Sequence, residues 1–230
     1  MSATPRRLII NADDFGMSPG VNRGVIRAHE EGVVTAASLM TRAAYAAEAA
    51  AYARRSRRLS VGLHFDFGEW KCVEGNWLPV YMVTSPDDAA AIEGEATSQL
   101  ERFRALLGQN PTHIDSHQHF HRREPYRTVL RRAAAELGIP LREDGGVRYV
   151  GAFYGQAEGG GLLEHHIRPH FLLELAKALA PGVTEMSCHP SAAPDTTTPY
   201  EHERLIELET LCDRRVREGL TELSITLTAF

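Results

Sequence analysis

Strand-like and helix-like segments alternate about seven times along this chain, and that alternation constrains its fold more than any other feature. The apolar run Leu8–Ala12 reads as a buried strand. Ser18-Pro19 supplies a helix cap and a first-turn proline, and a helix runs from there to about Glu31, closed by Gly32. A strand over Val33–Met40, an alanine-rich helix over Ala43–Arg57 and a strand over Leu59–Phe67 follow. Gly68–Thr84, with Gly, Pro and two Trp, reads as a functional loop. Ser85-Pro86 opens a helix that ends at Gly108, and His113–His117 is the fourth strand. A helix over Pro125–Glu136 stops at Gly138, and Leu141–Glu143 is a short fifth strand. Tyr149–Gly161 is a glycine-rich loop, Pro169–Leu179 a helix and Thr184–His189 the sixth strand. One long helix, Pro199–Arg217, and a last strand, Leu223–Leu227, complete the pattern. Regular β-α alternation implies parallel strands joined by crossover helices. No G-x-G-x-x-G follows the first strand, so a dinucleotide-binding sheet loses ground to a distorted (β/α) barrel of about seven parallel strands. The length, 230 residues, suits one domain spanning 1–230.

A barrel of this kind brings the C-terminal ends of its strands to one mouth. The chemistry-bearing residues sit at those ends. Asp13 and Asp14 follow the first strand, His64 lies late in the third, His117 ends the fourth and His189 ends the sixth. The segment Pro111–His121 carries five groups able to bind or orient a metal: His113, Asp115, His117, His119 and His121. Buried imidazoles and carboxylates need partners, and a divalent metal serves several at once. One carboxylate with two imidazoles is the ligand set of an open, catalytic metal site.

Each candidate has a plainer role to weigh against this. Asp13-Asp14 suits a turn or cap, but Ser18 already caps the helix, and two adjacent buried carboxylates repel unless something positive sits nearby. Neighbours on an extended chain point opposite ways, so one of the pair ligates while the other faces the substrate. His64, between Leu63 and Phe65, is alone more typical of a satisfied core histidine. If the fourth strand stops near His117, that residue is the best ligand, with His119 and His121 supporting the ligands, standing on the substrate rim or swinging in as alternative ligands, and Asp115 able to fix an imidazole tautomer. His113 reads as structural, and His165, His166, His170 and His202 as solvated. His189, before Pro190, is held extended and presented at the mouth. Cys188 reads as a small buried apolar residue rather than a nucleophile.

Composition removes several function classes. The formal net charge is −5 and the cations are dispersed, which argues against a nucleic-acid partner. The basic cluster Arg54–Arg58 ends a predicted helix, where cations suit the dipole. Cys72, Cys188 and Cys212 are odd in number and far apart, so neither a disulfide framework nor a zinc knuckle is expected. With no signal-peptide pattern and no membrane-spanning apolar run, a cytoplasmic soluble protein is expected, in which a homo-oligomer stays open.

Taken in order, Asn11-Ala-Asp-Asp-Phe-Gly16, Gly62-Leu-His-Phe65, Thr112-His-Ile-Asp-Ser-His-Gln-His119 and Cys188-His-Pro190 resemble the YdjC-like (ChbG/HpnK) carbohydrate deacetylase family over nearly the whole chain. The resemblance implies a distorted barrel similar to the polysaccharide deacetylases, one divalent metal ion (Mg or Zn) and hydrolysis of the N-acetyl group of an amino sugar or its glycoconjugate. It implies Asp14, His64 and His117 as metal ligands, Asp13 as general base and His189 as general acid. Trp70, Trp77, His119, His121, Phe153 and Tyr154 are the expected substrate contacts. Two rivals remain: another metal-dependent hydrolase such as a phosphoesterase, and a non-catalytic sugar-binding barrel.

Overall fold

Among the described residues, seven strands pair in parallel into one curled sheet. The computed structural model describes residues 4–73, 75–157, 159–196, 198 and 200–230. Met1–Ala3 lie outside the described residues, as do Glu74 and Glu158 within two predicted loops and Pro199, the predicted start of a helix. In chain order the elements are β1 (Arg6–Phe15), α1 (Pro19–Glu30), β2 (Ala36–Leu39), α2 (Ala46–Ala53), β3 (Ser60–Phe65), β4 (Gly68–Val73), β5 (Asn76–Met82) and α3 (Ala89–Leu107). They continue as β6 (Ile114–Ser116), α4 (Tyr126–Leu137), β7 (Arg148–Val150), α5 (Pro169–Lys177), β8 (Gly182–Cys188), α6 (His202–Leu211), α7 (Arg214–Glu222) and β9 (Ile225–Leu227).

The strand order is β6-β3-β2-β1-β8-β7, with β9 beside β1, and β1 is the spine of the sheet. Arg6–Ala12 pair with β8 on one edge, while β9 takes Arg6–Leu8 and β2 takes the stretch from Asn11 onward. A strand flanked on both sides and covered on both faces must be apolar, and Leu8, Ile9, Ile10 and Ala12 are all buried. The sheet does not close among the described residues: β6 and β7 are its two ends. No helix among the described residues is long and apolar enough to cross a membrane.

The parallel curled sheet agrees with the predicted barrel, and several elements differ in detail. Gly68–Thr84 is not a loop but carries an antiparallel hairpin, β4-β5, turning at Gly75 (φ 80°). Its Trp70, Val73, Trp77, Val80 and Tyr81 are good strand formers, and β5 is exposed along its whole length, so no buried face produces an alternating pattern. The predicted fifth strand shrinks to a single bridge from Leu141 to Ile114, because the chain turns back at once through Glu143 at φ 62°. β7 instead forms at the start of the predicted glycine-rich loop. The predicted long C-terminal helix is two: Asp213 interrupts it by accepting a hydrogen bond from Arg215 N–H at 2.8 Å, capping α7. α3 starts later than Ser85-Pro86, at the Asp88 cap. Ser18 caps α1 as expected, with Val21 N–H donating to its hydroxyl at 3.0 Å. Gly32 is not the left-handed cap expected of it; a Cβ there would meet the Leu211 carbonyl oxygen at 2.4 Å, so close packing requires the glycine.

Candidate active site

The C-terminal ends of β1, β3, β6 and β8 open into a cleft of about 780 Å³. At its floor the Oδ1 atom of Asp14 lies 3.2 Å from His64 Nε2 and 3.0 Å from His117 Nδ1. These residues come from three separate elements and their ligand atoms lie within 4.8 Å of one another. The parallel register of β3 and β6 sets His64 beside Asp115, and His64 Nδ1 donates to Asp115 Oδ1 at 2.7 Å. That bond leaves Nε2 to face Asp14, as a carboxylate-backed imidazole does when it ligates a cation. Burial works against charge on His64, but Asp115 and Asp14 reverse it and push the imidazole up to about 10. Burial likewise works to raise the Asp14 carboxyl, yet Arg204 and His117 outweigh it and hold it well below the usual carboxylate range. The cluster is thus an anion-rich pocket built to hold positive charge. Buried His117 Nε2 has no hydrogen-bond partner among the described residues. Donor set, convergence and charge all fit a divalent cation.

Asp13 and Asp14 do not point opposite ways, as an extended strand would have them. Asp14 adopts φ 64° and the β1–β2 register shifts between Ala12 and Phe15. This bulge cancels the alternation, so both carboxylates line the cleft. Their partners separate them. Asp14 Oδ2 accepts from Arg204 at 2.6 Å. Asp13 is gripped by both terminal nitrogens of Arg142, each at 2.7 Å, and by Asn11 Nδ2 at 2.8 Å. The same Arg142 reaches Asp115 Oδ2 at 2.7 Å and Glu185 Oε1 at 2.6 Å. Burial lifts the Glu185 carboxyl to about 7 against the pull of Arg142. Arg142→Met would leave three buried carboxylates without their shared counter-charge. It is expected to cost about 3 kcal/mol of unfolding free energy, read from urea melts; a loss below about 1 kcal/mol would show that the cluster neutralises itself by taking up protons.

His189 follows β8 and sits with Nε2 3.9 Å from Asp13 Oδ2 and Nδ1 3.7 Å from Glu207 Oε1. Glu207 is wholly buried, takes the His189 backbone N–H and is bonded by the Tyr200 hydroxyl. Burial disfavours the imidazolium, but Glu207 and then Asp13 reverse this and raise the His189 pKa. Tyr154 stacks on Tyr200 with ring centroids 4.5 Å apart, forming one wall of the cleft.

Of the predicted substrate contacts, Trp70, Trp77, His119 and Tyr154 line the cleft. Phe153 does not: it is wholly buried in the hydrophobic core, and the next residue takes the cleft side. His121 also turns away, bonded through Nδ1 to Ser116 Oγ at 2.7 Å with Nε2 3.5 Å from Glu143. His119, His121 and Glu143 form a second group of potential ligands, but Arg122 already pairs with Glu143. Burial, then Arg142, pushes His119 down to about 2 and His121 to about 4. That surrounding is positive, unlike the Asp14 cluster. His113 lies under the sheet, 3.0 Å from Ser38 Oγ and stacked on Phe230 at 3.8 Å. Burial pushes the Cys188 thiol well above its usual range.

Sequence reading missed Arg142, Arg204, Glu207 and Ser38. Ser38 Oγ donates to Asp115 Oδ2 at 2.6 Å from the middle of β2. Arg204 and Glu207 lie on α6 among charged residues that resemble a solvated face. A signal was present in Asn11, which opens the Asp13-Asp14 motif and whose amide holds Asp13 and Ser38.

A curled parallel sheet with these groups at its mouth has the fold of the polysaccharide deacetylases. The family 4 carbohydrate esterase of Streptomyces lividans, solved with acetate, matches 99% of this chain and 94% of its own at 12% identity and a TM-score of 0.56. A candidate cellobiose-phosphate cleavage protein of Enterococcus faecalis V583 matches 98% of this chain and 97% of its own at 25% identity and a TM-score of 0.78. Within that class the chain belongs to the YdjC-like protein family, whose profile matches residues 7–222. The chitooligosaccharide deacetylase of Serratia marcescens is 32% identical over 254 aligned positions, covering 97% of each chain. A carbohydrate deacetylase of Vibrio vulnificus (strain YJ016) is 32% identical over 97% of this chain and 95% of its own.

Proposed function

We propose that this protein is a metal-dependent carbohydrate deacetylase that removes the N-acetyl group from an amino sugar or its glycoconjugate. The observation that carries this reading is the convergence of Asp14, His64 and His117 beside Asp13 and His189 at one strand-end cleft. The family membership and the deacetylase relatives support the same reaction. One divalent cation, Zn or Mg, held by Asp14, His64 and His117, supplies Lewis acidity for the acetamide carbonyl and for water.

The chain's own residues supply the proton traffic. Asp13 Oδ1 already accepts from Asn11 and Arg142, whereas Oδ2 accepts from Arg142 alone and lies on the His189 side. A carboxylate oxygen has two acceptor positions, so Oδ2 keeps one for the proton of the attacking water. His189, whose imidazolium form Glu207 favours, delivers a proton from Nε2 to the departing nitrogen as the C–N bond breaks. Acetate and the sugar amine result. Arg142 fixes the orientation of Asp13, and Glu207 that of His189. Trp70 and Tyr154 offer aromatic faces to the sugar at the cleft walls.

The test is acetate release from a panel of N-acetylated amino sugars, free and linked to glycan or lipid. Activity is expected with Zn²⁺ or Mg²⁺ bound, to vanish after chelation and to return on reloading. A protein that binds the cation yet releases no acetate from any member overturns the proposal.

A further inference from the structure

Glu69 is a carboxylate that the proposed reaction does not use. It is 6% exposed, lines the cleft, and no described residue makes a hydrogen bond or ion pair to its side chain. Its carboxylate oxygens reach the surface of the cleft and are open to hydrogen bonds from a ligand there.

The surrounding backbone is arranged to aim it. Glu69 and its neighbour Trp70 both line the cleft. Gln118 then locks the segment: its Oε1 accepts from Trp70 N–H at 2.9 Å and its Nε2 donates to the Trp70 carbonyl at 2.7 Å. Gln118 and His119 hold left-handed backbone, φ 46° and 54°, to make this clamp. Such strain persists where surrounding structure imposes it, and it clusters at ligand clamps. On the Asp14 side, Arg204 Nη1 is buried, without a partner among the described residues, and Arg204 lines the same cleft.

We propose that Glu69 is the sugar-binding carboxylate of this site, accepting hydrogen bonds from ring hydroxyls of the amino sugar whose acetamide faces Asp13 and His189. The proposal rests on the deacetylase reading. An ionised carboxylate only accepts, and two vicinal hydroxyls match its two oxygens. Trp70, held next to it by Gln118, covers the apolar face of the same ring. Because Glu69 repels anions, the ring bound here is uncharged at the hydroxyls it contacts. Arg204 Nη1 provides the complementary donor.

Glu69→Gln keeps the shape and removes the charge. Both tryptophans of the chain line this cleft, so fluorescence quenching reads sugar binding independently of turnover. With the metal-loaded full chain and N-acetylated chitooligosaccharides as probe, Glu69→Gln is expected to weaken binding and raise KM about 10- to 100-fold. kcat should change by less than about 5-fold, and calorimetric metal affinity should be retained. Removing the contacted hydroxyl from the probe should weaken wild-type binding but add little in Glu69→Gln. Unchanged binding with no such coupling, while the wild-type protein releases acetate, overturns this inference and leaves the deacetylase reading intact. A loss of metal affinity in Glu69→Gln places the residue among the metal ligands and overturns it as well. A wild-type protein that neither binds these sugars nor releases acetate overturns both.

Discussion

Asp14→Asn is expected to weaken divalent-cation binding at least about 100-fold and to abolish acetate release with it, whereas Asp13→Asn keeps the cation and loses about 10²–10⁴-fold in kcat. The contrast follows from partners, since both side chains reach the same cleft. Asp14 Oδ1 is the atom on which His64 and His117 converge. An amide there removes the negative charge and presents either a weaker ligand or an N–H that repels the cation. Asp13 touches neither imidazole closely; its contacts are Arg142 and Asn11, and Arg142 keeps Asp115 and Glu185 when Asp13 becomes neutral. Asparagine at position 13 has no basic oxygen for the proton of water. Calorimetric titration with Zn²⁺ and single-substrate kinetics on both variants separate the outcomes, with thermal melts controlling for the loss of the Arg204 partner in Asp14→Asn. The reverse pattern exchanges the roles of the two carboxylates.

The parts of this architecture readable from sequence are those encoded in a continuous segment. β1 and β3 announce themselves as apolar runs, and β1, β3, β6 and β8 each carry a polar group near or just beyond the C-terminal end. A parallel sheet then does the rest, because strand ends share one mouth. The residues that resisted reading depend on contacts between segments far apart. Arg142 lies inside a predicted strand that collapses to one bridge, and its three carboxylates come from β1, β6 and β8. Arg204 and Glu207 lie 190 and 18 residues from the groups they hold, on a helix with no apolar stripe to mark its buried side. Local geometry hid others. Simple alternation fails at Asp13-Asp14, since a bulge turns two consecutive side chains the same way. Phe153 and Tyr154 show the converse: of two adjacent aromatic residues only the second meets the cleft, while the first packs the core.

The β1 bulge and most of the left-handed residues lie at the candidate site: Asp14, Gln118 and His119 are three of the five non-glycine residues with positive φ among the described residues. Elsewhere local preference and tertiary structure agree, as at the Ser18 cap or at Gly138, which ends α4 at φ 66°. Disagreement between local preference and fold is therefore itself a marker of where this chain places its chemistry.

His189→Ala is expected to lower kcat for an N-acetyl substrate by about 10²–10⁴-fold with cation affinity kept. Amide hydrolysis needs a proton on a poor leaving group, the sugar amine. His189 is placed to give it, 3.9 Å from Asp13 and backed by Glu207. The loss should shrink on an activated acetate ester, whose leaving group departs without a proton. Because Glu207 and Asp13 raise the His189 pKa despite burial, wild-type kcat should fall on the alkaline side as the imidazolium proton is lost. The variant should lack this limb. The same shift has a stability counterpart: a folded pKa raised above the unfolded value, about 6.5, contributes stability that is complete below that value and is lost as pH rises through the folded pKa. His189→Ala should therefore flatten the alkaline decline in melting temperature as well as in rate. Retention of amide turnover would remove His189 from proton delivery. Neither nearby imidazole is then placed to succeed it, since His119 is pushed down to about 2 by burial and Arg142, and His121 faces away from the cleft toward Ser116 and Glu143.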